Sequence, residues 1–230
     1  MDLSTTTAIV TGANRGLGRA FAGELVRRGA TVYAAARRPE LVDLDGVEPL
    51  ALDITDADSV AAAADRAGDV TLLINNAAST DGGNLVTGDM TAIRGVMDTN
   101  YYGTLHMVRA FAPVLARNGG GAILNVLSAA AWKTVPGNTA YAAAKSAEWG
   151  LTNGIRAELA GQGTLVSALV PGLIATSTLL AFAAEHDFPL PPEDLNEPAD
   201  LASFALDRLA AGDTEILDQL SVRTKRALAA

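Results

Sequence analysis

The chain is constrained above all by a recurring alternation. A short run of β-branched and small apolar residues is followed by a longer run with apolar residues at helical spacing. "TTAIV" (6–10) reads as a buried strand. "GLGRAFAGELVRRG" then sets Leu17, Ala20, Phe21, Leu25 and Val26 along one helical face, with Gly29 as its stop. Further strand runs are "TVYAAA" (31–36), "EPLALD" (48–53), "VTLLIN" (70–75), "GAILNVLS" (121–128), "GTLVSALV" (163–170) and "TEIL" (214–217). Between them lie "DADSVAAAADRAG", opened by an Asp or Ser cap, and helical stretches around 89–117 and 139–161. Strands that are apolar on both faces and alternate with helices predict an α/β fold. The expected form is a doubly wound parallel sheet of about seven strands with helices on both faces, three layers αβα. Neither an internal repeat nor a linker interrupts the pattern, so residues 1–230 are expected to form a single domain.

The last quarter departs from this rhythm. "LIATSTLLAFAAEHDFPLPPEDLNEP" (173–198) combines an apolar amphipathic piece with a proline cluster. It reads either as a substrate lid after a strand's carboxyl end or as a surface loop with a packing helix. "LDQLSVRTKRALAA" predicts a terminal helix with a basic end.

Composition narrows the chemistry. With no cysteine, disulfides, thiolate catalysis and Cys-based zinc sites are excluded. Only two histidines are present, too few to close a metal site. His106 reads as a packing or surface residue, and His186 as a lid residue that either touches substrate or does not. A net charge of −9 argues against a nucleic-acid surface. The absence of a basic, then apolar start and of a long apolar span predicts no membrane helix and a cytoplasmic protein.

The turn after the first strand, "TGANRGLG", carries Gly12, Gly16 and Gly18. Glycines here allow a tight turn and a close backbone approach to a phosphate at a helix N-terminus. Without a Lys in a G-K-[ST] pattern, a triphosphatase loop is disfavoured. A dinucleotide site that prefers NAD presents an acid at the end of strand two. Here Ala36 holds that position and Arg37 and Arg38 follow, with Arg15 inside the glycine loop. These guanidiniums suit a 2′-phosphate, which favours NADP(H); solvated loop charges are the other reading of Arg37 and Arg38.

"YAAAK" places Tyr141 and Lys145 one turn apart on one helix face. Both groups ordinarily titrate near about 10. An ammonium beside a phenol favours the phenolate, so Lys145 would tune Tyr141 as a proton donor to a carbonyl oxygen receiving hydride. Ser128, at the end of strand five and thirteen residues before Tyr141, is placed to hydrogen-bond the same oxygen.

"TGANRGLG", "NNAA" after strand four, Asn100 in "MDTNYYG", Ser128, "YAAAK" and "PGLIAT" after strand six fall in the order and spacing of one family. Over residues 5–180 the chain resembles the short-chain dehydrogenase/reductase family, whose fold is Rossmann-like. The resemblance implies that Lys145 also holds the nicotinamide ribose and that Asn100 positions a water leading from Lys145 to solvent. It implies a cofactor cradle of Gly12, Asn14, Arg15, Gly16, Leu17, Gly18, Arg37, Asp53, Asn76, Ala77, Tyr141, Lys145, Pro171, Ile174 and Thr176. Asp53 would bind adenine, a helix-cap role being the alternative, and Asn76 would brace the central sheet. Ala78 stands where the family usually has glycine, and the family's glycine-rich ending after strand seven is missing. Trp132 and Lys133 either line the mouth of the site or belong to a surface loop.

The implied activity is NADP(H)-dependent interconversion of a ketone or aldehyde with an alcohol. The apolar lid suggests an apolar small-molecule substrate. Alternatives are a redox-sensing NADP(H) protein without turnover, which normally has a broken Tyr–Lys pair, and a sugar-nucleotide epimerase, which needs a larger substrate domain. A homodimer or homotetramer is expected; the small-residue face of Ala140, Ala142, Ala143, Ala144 and Ala147 would pack either across a dimer or within the chain.

Overall fold

A computed structural model describes residues 1–134 and 137–228 of the chain. In chain order its elements begin with β1 (Thr7–Thr11), α1 (Gly16–Arg27), β2 (Thr31–Ala36), β3 (Glu48–Ala51), α2 (Ala57–Arg66) and β4 (Leu72–Asn75). The long helical stretch follows as α3 (Met90–Met97), a six-residue π turn at Asp98–Gly103, and α4 (Thr104–Arg117). Then come β5 (Ala122–Val126), α5 (Thr139–Leu159), β6 (Leu165–Val170), β7 (Leu173–Ile174), α6 (Ser177–His186) and β8 (Leu195–Asn196). The chain closes with α7 (Pro198–Ala210), β9 (Glu215–Leu217) and α8 (Gln219–Leu228).

Seven strands form one sheet in the order β3-β2-β1-β4-β5-β6-β9, every neighbouring pair parallel. This is the doubly wound sheet that the alternation predicts. The order reverses where β1 pairs with β2 on one side and β4 on the other. Alternate residues serve opposite faces, as the pleat requires. Ala8 and Val10 pack with Phe21 and Leu25 of α1 and Leu206 of α7, while Ile9 packs with Phe111 and Leu115 of α4 and Val60 of α2. Both faces are therefore core, which is why the strands read as continuous apolar runs.

Several boundaries differ from the expected ones. The third strand stops at Ala51 rather than 53, because its pairing with β2 ends at Ala36. The fifth stops at Val126 rather than 128, although the Leu127 amide still bonds to the Leu169 carbonyl at 2.7 Å. The cap of α2 is Asp56, which accepts from the amides of Asp58 and Ser59. In the 173–198 segment, β7 and β8 pair with each other and close its two ends at a narrow base. The alanine face of α5 is divided. Ala140, Ala142 and Ala144 are buried within the chain, and Ala143 is exposed.

The first and seventh helices are joined by charge. Arg28, just past α1, reaches Glu24 at 2.7 Å, Asp207 at 2.7 Å and the Ser203 carbonyl at 3.2 Å. The Arg27 hydrogen bond, working against burial and joined by Arg28, holds the Glu24 carboxyl down to about 2 from an ordinary 4.5. Because the folded value is depressed, this group's stabilisation is present above pH 4.5 and is lost as pH falls through about 2. Thermal unfolding of the native chain and Glu24→Gln should thus differ most at neutral pH. Their midpoints should converge as pH is lowered toward about 2.

Candidate active site at the carboxyl ends of the strands

The strand ends nearest the order reversal carry the glycine loop and the β4 exit. Thr11, the last residue of β1, links them: its Oγ1 accepts from the amides of Asn76 at 2.9 Å and Ala77 at 3.0 Å. Asn76 Nδ2 donates back to the Thr11 carbonyl at 2.9 Å. Asn76 therefore ties the two central strands together at their tips. Thr11 was not singled out by the sequence reading, since a threonine ending a strand carries no distinctive signal.

Two of the loop glycines, Gly12 (φ 68°) and Gly16 (φ 56°), lie in the left-handed region that side chains avoid. Gly18 is required for another reason. A Cβ there would fall 2.3 Å from the Gly12 carbonyl oxygen and 2.5 Å from Asn76 Nδ2. Leu17 is buried in the core against β1, so only its backbone is left to face a ligand. Asn14 is half-buried and Arg15, Arg37 and Arg38 are exposed. Ala36 ends β2, buried, in register with Ala51.

Asp53 folds onto the next turn, Oδ1 accepting from the Thr55 amide at 2.9 Å and its hydroxyl at 2.7 Å. Burial pushes this carboxyl up, but the two Thr55 hydrogen bonds and the Arg37 charge hold it below the usual range. Ala78 is exposed and its φ is not positive, so a methyl is accommodated there without strain.

From the other side come the loop after β6 and the 173–198 segment. Thr176 caps α6, accepting from the Leu179 amide at 3.3 Å, and its methyl would lie 3.4 Å from a Cβ at Gly16. Ile174 sits in β7, and the Pro171 carbonyl accepts from the Ala129 amide at 2.8 Å. Asp218 anchors this loop. Its Oδ2 accepts from the Gly172 amide and from Asn196 Nδ2, both at 2.7 Å, and Oδ1 accepts from the Ser221 amide at 2.8 Å. In place of a glycine-rich ending, the chain thus uses a carboxylate that grips three segments.

Ser128 follows β5, Tyr141 and Lys145 lie on α5, and Asn100 lies in the π turn that packs against α5. Ser128 starts a one-turn helix, its Oγ accepting from the Ala130 amide at 3.1 Å. Ser146 Oγ donates to the Ala131 carbonyl at 2.7 Å, which ties that turn to α5. Tyr141 is half-buried, with Lys145 Nζ 5.9 Å from its ring centre. Lys145 is only 2% exposed and donates to the Val126 carbonyl at 2.9 Å and to Glu148 Oε2 at 2.6 Å. Glu148 is equally buried, and its Oε1 accepts from Thr104 Oγ1 at 3.0 Å.

Burial draws the Lys145 ammonium down, but the Glu148 charge and hydrogen bond, with the field of Tyr141, carry it above its ordinary value. Burial also pushes the Glu148 carboxyl up, against the pull of Lys145 and Thr104. The sequence reading missed Glu148, whose only signal is an acid one turn beyond the lysine on an alanine-rich helix.

Asn100 lies in the π turn, fully buried. Its Nδ2 donates to the carbonyls of Ser79 at 2.8 Å and Val96 at 2.9 Å, leaving Oδ1 buried and without a partner. A π turn places one extra residue in the helical circuit, which is how this side chain reaches the exit of β4.

Trp132 packs edge-on against Trp149 (6.4 Å between rings), with Lys225 of α8 5.6 Å above it. It belongs to a small apolar cluster with Leu127 and Val170, while Lys133 is exposed. His106 is half-buried with Nδ1 3.2 Å from the Ile54 carbonyl. His186 stacks on Phe182 (4.3 Å), and a Cβ at Gly137 would sit 3.0 Å from its Cδ2, so the end of α6 rests on the loop leading into α5. Among the described residues no group of three or more His, Asp and Glu is suited to a metal, and no helix is long and apolar enough to cross a membrane.

The family model described as short chain dehydrogenase matches residues 6–186. The chain belongs to the short-chain dehydrogenase/reductase family. An uncharacterized oxidoreductase of Myxococcus xanthus is 32% identical over 98% of this chain and 93% of its own. A 3-oxoacyl-[acyl-carrier-protein] reductase of Vibrio harveyi is 33% identical over 88% of this chain and 89% of its own. Among solved structures, a short chain dehydrogenase from Burkholderia cenocepacia in complex with NADP superposes with a TM-score of 0.91. It is 37% identical and covers 100% of this chain and 95% of that one. A Brucella melitensis 3-ketoacyl-(acyl-carrier-protein) reductase complexed with NADH gives 0.85 at 28% identity, over 94% of this chain and 97% of that one. This short-chain dehydrogenase/reductase thus carries the family's Rossmann-like sheet, and its strand order is the doubly wound one.

The tightness at Gly18 has a direct consequence. Gly18→Ala should force the loop away from α1 and lower the thermal midpoint, because the nearest obstacle is backbone. Gly23→Ala on the same helix, whose Cβ would have only ordinary contact with Leu44 at 3.7 Å, should leave the midpoint unchanged or raise it slightly.

Proposed function

We propose that this chain is an NADP(H)-dependent oxidoreductase that interconverts a ketone or aldehyde with an alcohol by hydride transfer, Tyr141 acting as general acid and base. The observation that carries the reading is a half-buried tyrosine whose ring centre lies 5.9 Å from a buried ammonium, which itself donates to the Val126 carbonyl at the end of β5.

The cradle fits a dinucleotide. Gly12 and Gly16 hold left-handed backbone with no side chain of their own, Gly12 close against Asn76 and Ala77 and Gly16 facing Thr176. Asn100 Oδ1 is an unsatisfied buried acceptor that suits an ordered water. Relatives are seen with NADP and with NADH, so the preference rests on this chain's own charges. Ala36 offers no carboxylate to a ribose hydroxyl, and Arg37, Arg38 and Arg15 are exposed close by. Gly12, Asn14, Arg15, Gly16, Leu17 (by its backbone), Gly18, Asn76, Ala77, Pro171, Ile174 and Thr176 would hold the cofactor, with Arg37 on the 2′-phosphate, Asp53 on the adenine and Lys145 on the nicotinamide ribose.

When bound, the nicotinamide supplies the hydride to the carbonyl carbon or accepts it from the alcohol. Tyr141 gives the proton to the carbonyl oxygen, and Ser128 donates a hydrogen bond to the same atom. Lys145 sets the charge beside the phenol, and Asn100, whose buried Oδ1 has no partner, would hold the water that leads the proton back to Lys145. The segment between β7 and β8 carries an exposed Leu180 and a half-buried Phe182 on α6, which favours an apolar small-molecule substrate.

NADPH consumption against a panel of ketones and aldehydes tests the reading. Tyr141→Phe should lose turnover by about 10²–10⁴-fold while keeping NADPH affinity. Tight NADPH binding with no turnover on any carbonyl would indicate a cofactor-sensing protein instead. Arg15→Ala with Arg37→Ala should weaken NADPH binding by about 10- to 100-fold and NADH binding little; equal losses would remove the 2′-phosphate assignment.

A further inference from the structure

The family reading assigns no role to Glu148, yet this carboxylate is 1% exposed and lies 2.6 Å from the lysine on which the chemistry depends. A buried carboxylate that served packing alone would be a costly choice, because an apolar residue fills the same space without desolvation. Both oxygens of the carboxylate are committed, and one hydrogen of the ammonium is left for a further contact. Thr104 Oγ1 satisfies one carboxylate oxygen from α4, Lys145 satisfies the other, and the Val126 carbonyl takes a further ammonium hydrogen. Three elements are thus locked through one side-chain pair.

We propose that Glu148 is a positioning residue that fixes the Lys145 ammonium beneath Tyr141 and offsets its charge, so that the Tyr141 hydroxyl keeps its proton and the resting site is poised to reduce a carbonyl. The inference rests on the reading of Tyr141 as proton donor. Physically, a bare ammonium favours phenolate strongly, whereas an ammonium paired at 2.6 Å presents mainly a dipole to the phenol. A phenol that keeps its proton is the form needed for the reductive direction; a phenolate is the form needed to take a proton from an alcohol.

The other ionisable groups on elements packed against α5 are Arg94 on α3, Asp98, Tyr101 and Tyr102 in the π turn, and His106, Arg109 and Arg117 on α4. Arg94, Asp98, Tyr102, Arg109 and Arg117 are exposed, Tyr101 is half-buried, and His106 is engaged with the Ile54 carbonyl. Among the described residues, the Lys145–Glu148 pair therefore dominates the charge beside Tyr141.

The test follows phenolate absorbance during alkaline titration of the protein without substrate or cofactor. Subtracting the Tyr141→Phe version of each variant isolates Tyr141 from the chain's three other tyrosines. Glu148→Gln keeps the shape and removes the charge, so its Tyr141 phenolate should form about one pH unit lower than in the native chain. A midpoint that does not move, or that moves to higher pH, overturns the proposal.

Should Glu148→Gln fail to fold, the double variant Lys145→Met with Glu148→Met replaces a buried pair with apolar side chains, a change that folds tolerate well. Its midpoint should then stay within about one pH unit of the native one, because two offsetting charges leave together. A larger alkaline move would mean that Lys145 acts unopposed and would overturn the assignment. Because the titration needs no turnover, a Glu148→Gln shift in a chain that reduces no carbonyl would keep the role of Glu148 and discard the reductase reading. A functional reductase whose phenolate midpoint ignores Glu148 would do the reverse.

Discussion

The pairing of β1 with both β2 and β4 is the constraint on which the rest of the molecule depends. Consecutive strands are laid outward on one side, and the chain must then return to start again on the other. The two directions of winding leave a crevice above the carboxyl ends of β1 and β4. The loops that leave the carboxyl ends of the strands gather along that edge: the glycine loop after β1, the Asn76 turn after β4, Ser128 after β5 and the loop after β6. The edge is kept rigid by side chain to backbone bonds, with Thr11 bridging the two central strands and Asp218 holding the outer loop.

Within that frame, the buried Lys145–Glu148 pair is the energetically expensive element. Removing one partner of such a pair costs about 3–5 kcal/mol, since the other is left charged and unmatched. The fold holds it by giving every oxygen of the carboxylate a donor and by capping the ammonium with the end of β5. Tyr141, one turn away on α5, thus stands beside a charge pair held by three hydrogen bonds.

Much of this was legible in the sequence, and the failures have physical causes. The strands were visible because both their faces are buried, so Ala8, Ile9 and Val10 are all apolar although they serve different cores. Strand ends were misplaced where pairing with a neighbour, not composition, decides the last bond, as at Ala51 and Val126. The glycine loop and the Tyr141–Lys145 spacing were readable because each needs residue types that little else requires. Glu148 was not, since a glutamate on a helix ordinarily means a solvated face; its meaning depends on Thr104 and Lys145 arriving at the same point. Trp132 likewise depended on Trp149 of the next helix and on Lys225 of α8, which is far away in the chain. Two-residue strands such as β7 and β8 are too short to show any periodicity.

The π turn at Asp98–Gly103 has a geometric cost and return of its own. One additional residue in a helical circuit advances the angular phase by about 100°. Val96 before the turn lies under Gly82 and Ala140, whereas Phe111 and Leu115 after it fill the core beneath the sheet. An uninterrupted helix of identical length would rotate one of those two sets into solvent. The segment from 90 to 117 therefore acts as two gears on one shaft, meshed out of step, with Asn100 at the joint. Any straight helix grafted in its place would have to be one residue shorter to keep both ends engaged.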